Sequence, residues 1–223
     1  MARPDRRSIS LLGAVAVVLF AVGLATAGGT PDHHSVGSEI RDAYDNETQH
    51  QIAAFLVAVA AVPLLFFAAH LRAVLHDLHP SGRLSADAEL AGAVVAAAGL
   101  GVQALIHGAL AEAAQTAELG DEALQALNSL DGWSSYPVAI GFSTMLIASG
   151  IALLRGRELF PPYVAWSAVV LGLLMLVPIV GLVAAPLSGV WVVVISLLLF
   201  TRAPALDHLW TSQPDAPRTP VAR

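Results

Sequence analysis

The sequence predicts an all-α fold: one polytopic membrane bundle of six transmembrane helices, with N and C termini cytoplasmic. Three observations carry this. Only 13% of the 223 residues are charged and 56% are hydrophobic, against about a quarter charged in a soluble domain. The apolar residues come in blocks, close to the length of about 20 that a bilayer core demands of a helix. Ten of the eleven basic residues, all of them Arg, fall on one side of the membrane once six spans are drawn.

Taken in order, the first span covers 9–27. It follows the basic stretch "MARPDRR", and "ATA" at 25–27 offers a signal-peptide cleavage site. Its 19 residues exceed the usual signal core of about 7–15. A retained first helix is therefore expected, with cleavage and five remaining spans as the alternative. Spans two, three and four cover 52–69, 90–111 and 138–154. The last apolar run, 163–201, is 39 residues long, too long for one crossing. Gly181, Pro186 and Gly189 in "VGLVAAPLSG" predict a tight turn there, dividing the run into 163–180 and a short 187–201. The membrane domain is thus 1–202. The tail 203–223 is rich in proline and lacks periodicity, which reads as a disordered cytoplasmic segment.

Juxtamembrane Arg is retained in the cytoplasm. Arg3, Arg6 and Arg7 precede span one, and Arg72 and Arg83 lie between spans two and three. Arg155 and Arg157 follow span four, and Arg202, Arg218 and Arg223 follow span six. Arg41 alone is exterior. Among the aromatics, Tyr44, Trp133, Tyr136 and Trp191 fall near the outer interface, and Tyr163 and Trp166 near the inner one. Amphipathic rings favour those levels.

The first exterior stretch, "GGTPDHHSVGSEIRDAYDNETQH", holds five acids, three histidines and one Arg. Ser38 is placed to cap a short helix, because its hydroxyl can accept from an orphan N–H. Glu39 and Asp42 then lie in the first turn, where the helix dipole favours acids. Val36, Ile40, Ala43 and Tyr44 form its apolar edge. In the second exterior stretch Asp121 can cap a helix carrying Leu124, Leu127 and Leu130, ahead of span four. The two loops predict an acidic outer surface of Asp32, Glu39, Asp42, Asp45, Glu47, Glu118, Asp121, Glu122 and Asp131. His33 and His34 read as solvated neighbours, since a metal site needs several convergent ligands. His70, His76 and His79 share no helical face and read as interfacial.

The chain has no Cys, which excludes disulfides, thiol catalysis and thiolate metal sites. It also lacks HExxH, a Gly-rich phosphate loop and paired carboxylates at bilayer depth. No metal, cofactor or catalytic residue is expected. Function would show instead in polar groups inside the membrane. Glu89, Gly92, Ala96, Gly99, Gln103 and His107 recur at spacings of three and four, forming one stripe of span three. Tyr136, Ala139, Ser143, Ile147 and Gly150 form another on span four. Gln103 and His107, with Ser143 and His50 at a matching depth, predict an outer-leaflet polar cluster. It must face the bundle interior, because these groups would cost several kcal/mol against lipid. One reading is interhelical hydrogen bonding worth roughly 1 kcal/mol per pair. The other is a pocket that binds a small ligand or relays protons.

The order of segments also resembles a known group. A first span ends in "GGTPD", a "SEIRDAYDN" helix leads into span two, "DEALQALNSL" precedes span four and "LFPPYVAW" opens span five. This resembles uncharacterised bacterial, often actinobacterial, six-span membrane proteins carrying a domain of unknown function, over about Ser8 to Arg202. The resemblance implies a helical bundle in the membrane and carries over no catalytic residues. The expected role is a non-enzymatic structural or interaction protein of a bacterial cytoplasmic membrane. Its partners would be the lipid bilayer and a membrane protein or second copy of the chain, not nucleic acid. A small transporter or ligand-sensing bundle using the polar cluster is the alternative, and a membrane-embedded enzyme ranks third.

Overall fold

The computed structural model describes residues 6–32, 35–78, 83–116, 119–155 and 160–211. Among them every regular element is a helix. The chain opens with α1 (Arg6–Ser10), which a turn at Leu11 separates from α2 (Leu12–Ala27). The short α3 (Gly37–Ala43) lies outside the first span. Three long helices follow: α4 (Glu47–Leu78), α5 (Arg83–Gln115) and α6 (Asp121–Arg155). A short α7 (Pro162–Met175) and a long α8 (Pro178–Thr211) complete the fold.

Five helical stretches are long and apolar enough to cross a membrane: Arg7–Ala27, Glu47–Asp77, Arg83–Gln115, Asp121–Arg155 and Val183–Arg202. The chain is thus a helical protein with the composition of a membrane bundle. Its surface agrees, since Val18, Phe55, Phe66, Leu105 and Val183 are all more than half exposed. A helix apolar on every side belongs in lipid.

The end of the bundle departs from expectation. The 163–201 run breaks at Leu176–Val177, not at 180–189, and α8 continues through Gly181, Pro186 and Gly189. Pro178 explains the position. It lacks an N–H and disfavours helical backbone at Val177, whereas Pro at the first helical position is well tolerated. The 14 residues of α7 extend only about 21 Å, against about 30 Å of hydrocarbon. The Trp191 indole donates to the Val164 carbonyl at 2.9 Å, so Trp191 lies level with the start of α7. It is not an outer-interface residue while Tyr163 is an inner one.

Two other expectations are corrected. Ser38 does not cap α3. The helix begins at Gly37 and the Glu39 carboxylate accepts from the Val36 N–H at 3.2 Å. Gly37 is buried against Asp121, leaving no room there for a Cβ. The helix expected around 121–130 is also not separate from span four. α6 runs unbroken for 35 residues with Pro137 inside it.

Each long helix packs on the next in chain order, and α8 returns to α1 and α2 to close the ring. Phe67, Leu71 and Leu75 of α4, Met145, Leu146 and Leu153 of α6, and Ile195 of α8 fill the centre. The tightest seam joins α5 to α6. A Cβ on Gly92 would lie 2.5 Å from the Met145 nitrogen, and one on Gly99 2.7 Å from the Val138 nitrogen. Gly141 faces Ala96 and the Gly92 carbonyl just as closely. Small residues on a stripe permit this approach of backbones. Gly150 and Gly172 repeat the device between α6 and α7.

At the end that carries α3, the helices α4, α5 and α6 are longer than the roughly 20 residues a bilayer core requires. The 33 residues of α5 measure about 50 Å. Their overhang carries a second, smaller core made of Ile40, Tyr44, Leu110, Ala111, Ala113, Ala114 and Leu124. It docks α3 onto the end of α5 and the start of α6.

Close packing of this seam yields a test. Gly141→Leu should destabilise the protein by about 1–3 kcal/mol or prevent folding, as overpacking does. Gly101→Leu, at a position with open space around it, should leave thermal stability in detergent unchanged. Equal effects would mean that the α5–α6 approach is not limiting.

Candidate functional site

A chain of polar side chains lies where the outer cap meets the bundle. His50 sits in the first turn of α4 and His107 two turns from the end of α5. Asp131 stands three turns into α6, and Tyr44 just beyond α3. His50 and His107 are 3% and 8% exposed, and Tyr44 is fully buried.

The geometry is continuous. His50 Nε2 bonds the Ala43 carbonyl at 3.1 Å. His50 Nδ1 meets His107 Nε2 at 3.2 Å. His107 Nδ1 meets Asp131 Oδ2 at 3.2 Å, and the Tyr44 hydroxyl donates to the same oxygen at 3.4 Å. The rings of Tyr44 and His50 stand 4.3 Å apart, and those of His50 and His107 5.3 Å.

Counting protons gives this chain its chemistry. A backbone carbonyl can only accept, so His50 Nε2 carries a hydrogen. If His50 is neutral, its Nδ1 accepts, and His107 Nε2 must donate. A carboxylate can only accept, so His107 Nδ1 must donate as well. Two neutral rings supply two hydrogens for three contacts. For all three contacts to be hydrogen bonds, the chain must hold one further proton, on His107, on His50 or on Asp131. With the proton on a ring, imidazolium and carboxylate form a charge-assisted pair. Both nitrogens of each ring are occupied by protein atoms, so the arrangement positions a proton rather than a metal. Burial, then the Asp131 charge and the hydrogen bond to it, push the Tyr44 phenol well above its ordinary range. It remains a donor.

Further bonds tie the cap to this centre. Gln115 donates to the Tyr44 carbonyl at 2.6 Å. Arg41 donates to the Leu119 carbonyl at 2.6 Å and pairs with Asp121 at 3.3 Å. Asn128 donates to the Asp32 carbonyl at 2.9 Å. Gln49 donates to the Thr26 carbonyl at 2.7 Å, joining the end of α2 to the start of α4.

Of the four residues expected in an outer cluster, His50 and His107 come together. Gln103 lies half-buried one turn from His107 on α5, without a hydrogen bond to either ring. Ser143 stands 12 residues beyond Asp131, about 18 Å along α6. Its hydroxyl donates to the Gly172 carbonyl at 2.6 Å, across the α6–α7 contact. It belongs to that contact and not to the cluster.

Asp131 and Tyr44 were assigned to the outer surface and interface, yet both are central here. A signal existed: Leu124, Asn128, Asp131 and Ser134 recur at helical spacing, and all turn inward. His33, His34, His79 and Glu118 lie outside the described residues. His70 bonds Ser10 at 3.1 Å, and His76 lies 3.9 Å from Asp77. Among the described residues no group of three His, Asp or Glu side chains is arranged for a metal ion.

The pair is open to a double-mutant cycle. Asp131→Ala alone should cost about 1–3 kcal/mol, because it leaves the buried His107 Nδ1 without its partner. The double replacement His107→Ala/Asp131→Ala should cost less than the two single changes added together. Additive losses in detergent unfolding would mean that no coupled pair exists.

No family model, curated protein or solved structure matches the chain, so the chemistry of this site rests on its own geometry.

Proposed function

We propose that the chain is a non-enzymatic interaction protein of a bacterial cytoplasmic membrane whose outer cap responds to protons. It crosses six times, with α7 as a short fifth span and both termini inside, as in the six-span family that its segment order resembles. The single observation that carries the reading is the buried sequence Ala43–His50–His107–Asp131–Tyr44, which needs one proton beyond neutral rings and a carboxylate. That proton bonds α4 to α5 and α5 to α6. The same network holds Ala43 and Tyr44, the end of α3, onto the bundle. Loss of the proton leaves two acceptors facing each other at one of the three contacts, which weakens the clamp and frees α3. The exterior surface presented to a partner then changes with external pH.

This reading selects the sensing alternative among the sequence-based ones, with the proton as ligand. It keeps the interaction role, because both ring nitrogens of His50 and of His107 are used internally.

Hydrogen exchange across the range where imidazoles ordinarily change charge, about pH 5–8, tests it. After correction for intrinsic exchange, protection of residues 37–44 should fall as pH rises in the wild type. In Asp131→Asn the amide N–H supplies the third hydrogen with both rings neutral, so protection should no longer depend on pH. A shared pH profile in both proteins would sink the proposal.

The threading has its own test. Reporter fusions after Arg83 and Arg202 should report cytoplasm, and a fusion after Asp45 should report exterior. One reversal would remove the six-span arrangement.

A further inference from the structure

Among the described residues, Glu89 is the one acid with no exposed surface at all. Both its carboxyl oxygens lack a hydrogen-bond partner. The hydroxyl of Ser149 shares that condition: it is fully buried and unpartnered. This is unusual even within the molecule, because Thr144, Ser188, Ser196 and Thr201 all donate to the carbonyl four residues earlier. Buried polar groups in native proteins are nearly always bonded, so such orphans point to something the two groups share.

Helix arithmetic brings them together. Glu89 precedes His107 by 18 residues on α5, and Ser149 follows Asp131 by 18 residues on α6. Eighteen residues are five whole turns at 3.6 per turn, or about 27 Å. The two helices are antiparallel, as Gly99 against Val138, Gly92 against Met145 and Ser85 bonded to Arg155 make plain. Stepping five turns inward along both from the His107–Asp131 bond therefore arrives at Glu89 and Ser149, on the same faces and at one level. The orphaned acid and hydroxyl occupy the inner equivalent of the outer relay, on the seam of α4, α5 and α6.

The charges around this level are already engaged. Arg72 of α4 acts on Glu89 electrostatically, but its guanidinium is held by Asp87 at 2.6 Å. Arg155 of α6 bonds Ser85 at 3.2 Å, and His70 of α4 bonds Ser10. As the side chains stand, an ionised carboxylate at Glu89 would meet no donor and no free counter-charge, a costly state in an apolar interior. A metal cation fits poorly, since hard cations such as calcium take about 6–8 oxygens and the pair supplies three.

We propose that Glu89 and Ser149 form a proton-binding site at the inner end of the α4–α5–α6 seam. Glu89 rests as the neutral acid and releases its O–H proton to water on the Arg72 side. Ser149 then donates its hydroxyl to the carboxylate left behind, and Arg72 is drawn from Asp87 toward the new charge. The tightly packed Gly92–Gly99 segment separates this site from the outer relay, so the two exchange protons with opposite sides.

The apolar reagent dicyclohexylcarbodiimide tests this, because it adds to protonated carboxyls within membranes. The full chain in detergent, labelled across a pH series and mapped by peptide mass, should carry one adduct at Glu89. That adduct should be lost as pH rises, and a water-soluble carbodiimide should fail to form it. In Ser149→Ala, labelling should persist to higher pH, because the donor to the carboxylate is gone. An unlabelled Glu89 in the wild type, or labelling indifferent to pH, would overturn the site. Protection by sodium at constant pH would overturn the assignment to a proton, and an unshifted Ser149→Ala profile would overturn the role of Ser149.

Discussion

Where α5 crosses α6, Gly92 and Gly99 on one helix and Gly141 on the other leave room for backbone and for no Cβ. In lipid there is no hydrophobic drive between helices, so association depends on such close packing and on hydrogen bonds between them. This contact sets the register of α5 against α6, and the register decides which polar groups meet. His107 faces Asp131 because Gly99 faces Val138. A shift of one turn would part the imidazole from the carboxylate. The glycine seam is thus the geometric condition for the polar chemistry at both its ends.

The polar groups lie where the helices are longer than a membrane span requires. α5 and α6 are each longer than a hydrocarbon core of about 30 Å, and α3 folds over one end of both. His50, His107 and Asp131 lie between the small core of Ile40, Tyr44, Leu110 and Leu124 and the main core, where each hydrogen bond is electrostatically stronger and each unmet one costs more. Arg41 is used in the same place, on Leu119 and Asp121 at the start of α6.

Some of this was legible along the chain. The stripe Glu89–Gly92–Ala96–Gly99–Gln103–His107 named the face of α5 that turns inward, Gln103 at its edge, because period and residue size are both written in one helix. His50 and His107 were paired by depth alone. Other readings went astray for a common reason. Ser143 was given the depth of His107 from a span begun at 138, but α6 begins at Asp121, and Ser143 lies about 18 Å along it from Asp131 and on its α7 side. Asp131 looked like one more exterior acid because charge biases a reader toward solvent. Trp191 looked interfacial because its distance from the chain's turns was reckoned from the wrong break, at Pro186 instead of Pro178.

By itself the sequence determined that the chain is helical and membrane-like, where its long apolar segments lie, and which faces carry small or polar residues. Those properties follow from composition and period within one segment, so neighbouring residues suffice to specify them. Only the tertiary structure decided that Tyr44, His50, His107 and Asp131 meet, that Ser143 does not join them, and that Glu89 and Ser149 share a level. Such meetings depend on the rotation and register of helices far apart in sequence. Backbone-to-backbone packing at glycine sets both, and no single segment contains that information.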